Sequence, residues 1–159
     1  MEVPEFLRRA DGRAHDEHLK TLSLYGLVAR QPDHVSAQQA RLELAEYALA
    51  ASNFDEAVSL AGMAIEHGAG QEAAHARYLL GRRWFLAEDY EQAMRELLQV
   101  TMAYPQYADW TARAQLLIAQ CQQRMGDRAG AAGTLQDILG RYPSGEFGAD
   151  AQRLLEEMR

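Results

Sequence analysis

The stretch Tyr78–Val100, YLLGRRWFLAEDYEQAMRELLQV, decides the fold. It reads as one helix, a break at Glu88-Asp89-Tyr90, and a second helix. Asp89-x-x-Gln92 is a capping-box signature, a short acceptor side chain followed three residues later by a long amide. The same reading recurs on both sides. Leu42–Ile65 is LELAEYALAASNFDEAVSLAGMAI, with its break at Ser52-Asn53-Phe54 and the signature Asn53-x-x-Glu56. Leu116–Leu139 is LLIAQCQQRMGDRAGAAGTLQDIL, with its break at Gly126-Asp127-Arg128.

The three segments keep one phase. An alanine inside each second helix recurs as Ala57, Ala93 and Ala131, at spacings of 36 and 38 residues. Twelve positions earlier stand the small residues Ala45, Gly81 and Ala119, preceded by Leu44, Leu80 and Ile118. A small side chain at both places lets two helices approach closely, and a bulky one would overpack the pair by roughly 1–3 kcal/mol. Tyr104-Pro105 and Tyr142-Pro143 follow the second helices, and the prolines end each unit because they cannot continue a helix. Ser36-x-x-Gln39 is expected to open the first unit as a further capping box.

Composition agrees. Among 159 residues, Ala (28) and Leu (20) far outnumber Val (5), Ile (3) and Thr (4), which favours helix over strand. A hydrophobic content of 48% with 25% charged residues excludes a disordered chain. A formal charge of -7 argues against nucleic acid or anionic lipid as a partner. The single cysteine, Cys121, excludes an internal disulfide. No run of 18 apolar residues occurs, so direct membrane insertion is not expected. The opening MEVPEFLRRADGR is too polar for a signal peptide, so an exported form would be a mature or excised piece.

These residues resemble the tetratricopeptide repeat family. Gly81, Trp84, Ala93, Leu97 and Pro105 match its pattern in the second unit, and Ala119, Ala131, Leu135 and Pro143 in the third. The first offers Ala45, Ala57, Ala61 and Ala64, with Ala69 where proline is usual. Val100 and Ile138 are bulkier than the family's small residue, and Gln122 replaces its aromatic. The resemblance implies an all-α, right-handed superhelix of antiparallel helix pairs. It spans about three repeats over residues 37–148, an N-terminal helical cap or degenerate repeat over 1–34, and a C-terminal capping helix over 149–159. Residues His15–Arg30 are expected to form the second helix of the degenerate repeat and Pro4–Ala10 a remnant of its first. The closing helix is expected over Phe147–Met158, with Ala151, Leu154, Leu155 and Met158 facing inward.

In that family the first helices of successive repeats line a concave groove. Carried over, the groove takes Gln39, Leu42, Glu43, Glu46 and Ala50 from the first repeat, His75, Tyr78, Arg82, Phe85 and Leu86 from the second, and Arg113, Leu116, Gln120, Gln123 and Arg124 from the third. Its middle is apolar and aromatic, flanked by arginines, and such residue types dominate binding hot spots. The partner-binding residues expected are Leu42, Tyr78, Arg82, Phe85, Arg113, Leu116, Gln120 and Arg124. Leu49, Leu79 and Leu117 fall at groove positions too, where they serve equally as core. The carboxylate clamp of chaperone-binding relatives would place cationic and amide side chains where this chain has Leu42, Glu46, Leu79, Arg113 and Leu117. Only Arg113 fits, and Glu46 would repel a terminal carboxylate.

Catalytic and metal chemistry find little support. His15 and His18 share one helix face, but no HExxH, CxxC or histidine–cysteine cluster accompanies them. No phosphate-binding glycine loop is present, because GDRAGAAG at residues 126–133 spans a turn and a helix start. Cys121 reads as a buried small hydrophobe. No cofactor is expected, and the function implied is a non-catalytic scaffold that binds a protein or peptide. The alternative is self-association as a homo-oligomer, or a role as part of a longer repeat array. The Tyr-Pro helix ends and the closing RYPSGEFGADAQRLLEEM are also similar to bacterial cell-envelope tetratricopeptide proteins of the Tol-Pal accessory, cell-division coordinator type, and to outer-membrane barrel-assembly lipoproteins. That similarity implies a periplasmic setting, with the cytoplasm as the alternative. A lipoprotein cysteine and a trimeric coiled-coil segment are not seen in this sequence.

Overall fold

A computed structural model describes residues 12–67 and 70–158. They form eight helices and, among the described residues, no strand. In order these are α1 (Gly12–Arg30), α2 (Val35–Ala50), α3 (Phe54–His67), α4 (Gln71–Leu86), α5 (Tyr90–Ala103), α6 (Ala108–Arg124), α7 (Arg128–Arg141) and α8 (Glu146–Glu157). Each helix packs on its chain neighbour. In addition α2 touches α4, α4 touches α6, and α6 touches α8. The all-α helix-pair architecture expected from the repeat phase is therefore present, and the even-numbered helices make its inner row. The expected Pro4–Ala10 remnant and Ala69 lie outside the described residues.

The turn inside each pair is built the same way three times. Ser52, Glu88 and Gly126 stand five residues before the anchor alanines, and all three have positive φ (59°, 62° and 86°). The next residue sends its N–H back to a carbonyl one and a half turns earlier: Asn53 to Ala48 (2.8 Å), Asp89 to Trp84 (3.1 Å) and Asp127 to Gln122 (2.8 Å). This is the Schellman ending, which satisfies carbonyls left open at a helix C-terminus. Only the third repeat uses glycine, the residue that adopts this backbone without steric cost.

The following helix is capped from the same turn. Asp89 accepts from the Gln92 N–H (3.1 Å) and Asp127 from the Gly130 N–H (2.8 Å). The first unit departs from the capping boxes expected. Asn53 donates its amide to the Glu56 carboxylate (2.6 Å). Ser36 does not open α2. The N-cap is His34, whose extended backbone (ψ 148°) precedes Val35 and whose Nδ1 accepts from the Ser36 N–H (3.2 Å). The Pro32-Asp33 turn starts the helix two residues earlier than a Ser/Thr/Asp/Asn rule predicts, because a histidine ring nitrogen supplies the acceptor.

The anchor residues are all buried, as close helix approach requires. A Cβ placed on Gly81 would lie 2.6 Å from Leu97 Cγ, and Leu97 is itself completely enclosed. Val100 and Ile138, bulkier than the family pattern, are likewise fully buried and part of the packing. The core runs as three clusters. The first joins α2, α3 and α4, with Leu24 and Val28 of α1 against it. The second joins α5 and α6. The third joins α6, α7 and α8. Tyr78 packs against both the first and the second. At the C-terminal end Ala151 is buried, with Leu154, Leu155 and Met158 packed beside it, so the closing helix faces inward as expected. The helix begins at Glu146, one residue before the expected start. Tyr142 meets Phe147 edge-on (5.7 Å) and donates its hydroxyl to the Ala108 carbonyl (3.2 Å), tying α7's end to α6 and α8.

Candidate partner-binding groove

The adjoining helices α2, α4 and α6 carry the residues expected in the groove, and α8 adjoins α6. On α4, His75, Tyr78 and Arg82 stand at helical spacing on one face. His75 reaches α2, where its Nε2–H donates to Glu46 Oε1 (2.7 Å). Its other contact is α6: the imidazole stacks on Trp110, with centroids 4.0 Å apart and planes 15° apart. Tyr78 leans on the same indole (5.6 Å, 43°). The guanidinium of Arg113 lies 5.7 Å from the Trp110 ring and 5.6 Å from that of Phe147. One aromatic shelf thus links three inner helices and α8.

The charges on this surface are mixed. The hydrogen bond from His75 holds the Glu46 carboxyl below the ordinary carboxylate range, against the opposing effect of partial burial, and the positive fields of Arg82 and Arg113 add to it. Burial raises the Tyr78 hydroxyl above its usual value. Glu43 pairs with Lys20 of α1.

Two hollows open on the groove. The first, of about 330 Å³, lies between α2 and α4 and is closed at one side by Trp110. Its lining holds Leu42, the carboxylates Glu43, Glu46 and Glu72, the amides Gln39 and Gln71, and His75. The second, of about 160 Å³, lies between α4, α6 and α8. Tyr78, Arg113, Leu116, Leu117 and Gln120 line it with Glu146, Phe147 and Asp150.

The expected partner-binding residues therefore divide. Tyr78, Arg113, Leu116 and Gln120 come together in the second hollow, while Leu42 forms part of the first. Leu42 and Leu116 are only 3% and 8% exposed, so they are floor rather than free contact surface. Leu49, Leu79 and Leu117 are buried in the core. Phe85 packs on the second core cluster, edge-on to Tyr90 (5.6 Å). Arg82 is half-buried outside both hollows, and Arg124 is exposed at the end of α6. Five acidic side chains, Glu43, Glu46, Glu72, Glu146 and Asp150, share the hollows with one arginine, Arg113. The arginine-flanked apolar strip expected from the sequence is thus an aromatic shelf with carboxylates on either side.

Trp110, the centre of that shelf, is absent from the expected groove. It lies in the first turn of α6, ahead of the repeat consensus, where the 38-residue spacing inserts extra residues. That spacing was the available signal. Glu72 likewise sits in the first turn of α4.

Cys121 is buried, and desolvation pushes its thiol up to about 11. The His15 side chain lies outside the described residues. Among the described residues no three histidine, cysteine or carboxylate side chains converge as a metal site, and no helix is long and apolar enough to cross a membrane.

Residues 113–145 match the family model described as tetratricopeptide repeat. No curated protein matches the chain. The matched segment covers α6 from its second turn, all of α7, and the Tyr142-Pro143 ending. By sequence the third helix pair is similar to a tetratricopeptide repeat, and the pairs before it share its turn and its buried small-residue anchors.

Proposed function

We propose that this chain is a non-catalytic scaffold that binds a protein partner, taking an extended or helical segment of it along the concave groove. The observation that carries this reading is the aromatic shelf of His75, Tyr78 and Trp110, open on two hollows and flanked by the exposed Arg113. Aromatic and arginine side chains held rigid on helices lose little entropy on binding, which suits a recognition surface. Among the residues expected to bind, Tyr78, Arg82, Arg113 and Gln120 make contacts in this reading, whereas Leu42, Phe85 and Leu116 support them and Arg124 borders the surface. Arg113→Glu is the direct test, because that side chain is exposed and its change leaves the core intact. Affinity for peptides selected on the wild-type protein should fall about tenfold. Unchanged affinity with unchanged helicity contradicts the groove.

A second reading, self-association, draws on α1. Leu19 and Leu22 are 51% and 53% exposed there and sit one turn apart on the first described helix. Sedimentation across a concentration series separates the two, since a dimer lost on Leu22→Glu supports assembly through α1. The finer setting proposed is a bacterial cell envelope, with the protein in the periplasm. What supports it is the similarity of the Tyr-Pro helix ends and the closing segment to bacterial cell-envelope repeat proteins. Fractionation of the native host tests that setting.

A further inference from the structure

The hollow between α2 and α4 has a chemistry of its own. Three carboxylates line it and no lysine or arginine does. Glu43 and Glu46 already have partners in Lys20 and His75. Glu72, half-buried at the start of α4, makes no ion pair among the described residues. The remaining surface is Leu42 below and Trp110 at the side, with the two amides at the rim. A hollow that sets the Trp110 ring among carboxylates suits a long side chain with a methylene stem and a cationic head, which lays its stem against the indole while the head finds its counter-charge. An anionic side chain would meet three like charges here. A purely apolar one would strip water from Glu72 without replacing it.

We infer that the groove's partner is a peptide segment bearing a lysine or arginine, whose side chain enters this hollow and meets Glu72 and Glu46 along the face of Trp110. The inference rests on the groove reading above and adds the charge of its partner.

The test is selection of random linear peptides displayed on phage against the wild-type protein and, separately, against Glu72→Gln, which breaks no ion pair among the described residues. Wild-type selection should return sequences sharing a lysine or arginine. Replacing that residue by norleucine or citrulline should weaken binding to wild type about tenfold and to Glu72→Gln far less, as expected when two charges are coupled. Glu46→Gln, checked for unchanged helicity, provides the second variant and should behave alike. Enriched peptides without a shared basic residue overturn the inference and leave the groove standing. An equal loss on wild type and on both variants overturns it as well. An empty selection contradicts the groove reading itself, and this inference with it.

Discussion

Glu46 and His75 join neighbouring repeats: Nε2 of one lies 2.7 Å from Oε1 of the other, across the seam between α2 and α4. The imidazole is held on its far face by Trp110 of the next pair. One side chain therefore registers three inner helices against one another. In a repeat array, where each unit contacts chiefly its neighbours, such cross-seam contacts transmit alignment along the groove.

That bond carries a pH signature. The folded-state value of Glu46 is depressed, so its contribution is fully present above the ordinary carboxylate value of 4.5 and is lost as pH falls through the folded value. The side chain is about half exposed, so the effect is small, about 0.5 kcal/mol. Chemical denaturation of wild type and Glu46→Gln should differ just above pH 4.5 and converge as pH falls through the depressed folded value of Glu46.

Gly81 and Gly133 should respond to larger side chains in opposite directions. Gly81 faces the enclosed Leu97, so Gly81→Val overpacks the α4–α5 seam and should cost roughly 1–3 kcal/mol. Gly133 lies inside α7 with nothing within 4 Å of an added Cβ, so Gly133→Ala should gain up to about 1 kcal/mol from helix propensity. Thermal melts of the two variants decide both signs.

Glu88 and Gly126 hold equivalent left-handed positions in two repeat turns. Glu88→Gly should stabilise by about 1 kcal/mol, and Gly126→Ala should destabilise by a similar amount, because the penalty is one of backbone sterics. The Asp89→Ala and Asp127→Ala caps should each cost about 1 kcal/mol. Equilibrium unfolding of the four variants checks this.

Cys121 should be inert in the folded protein. Its thiol is fully enclosed and raised to about 11, so a disulfide reagent at pH 8 should label it only after denaturation. The unfolded thiol ionises first, near 9.0, so folding stability should decline as pH rises from about 9 toward 11.

The helix pairs were legible in the sequence because their determinants are local and recur in phase. Ala57, Ala93 and Ala131 mark close approach, and the turn before each reads as a break whatever its residues. The cap of α2 was not legible, since it depends on a histidine tautomer and on the Pro32-Asp33 turn delivering His34 in extended form. The groove was legible only in part. Consensus positions name the helix face but not its depth, so Leu42 and Leu116 read as contact surface although neighbouring helices bury them. Trp110 and Glu72 lie in first turns, where loop length sets their placement, and no periodic rule reaches them.

Amide and indole NMR mapping of a selected peptide tests the concave surface most directly. The Trp110 indole N–H and the backbone signals of Glu46, His75 and Arg113 should shift together on titration. Shifts confined to α3, α5 and α7, with the Trp110 indole unmoved, would contradict binding in the groove.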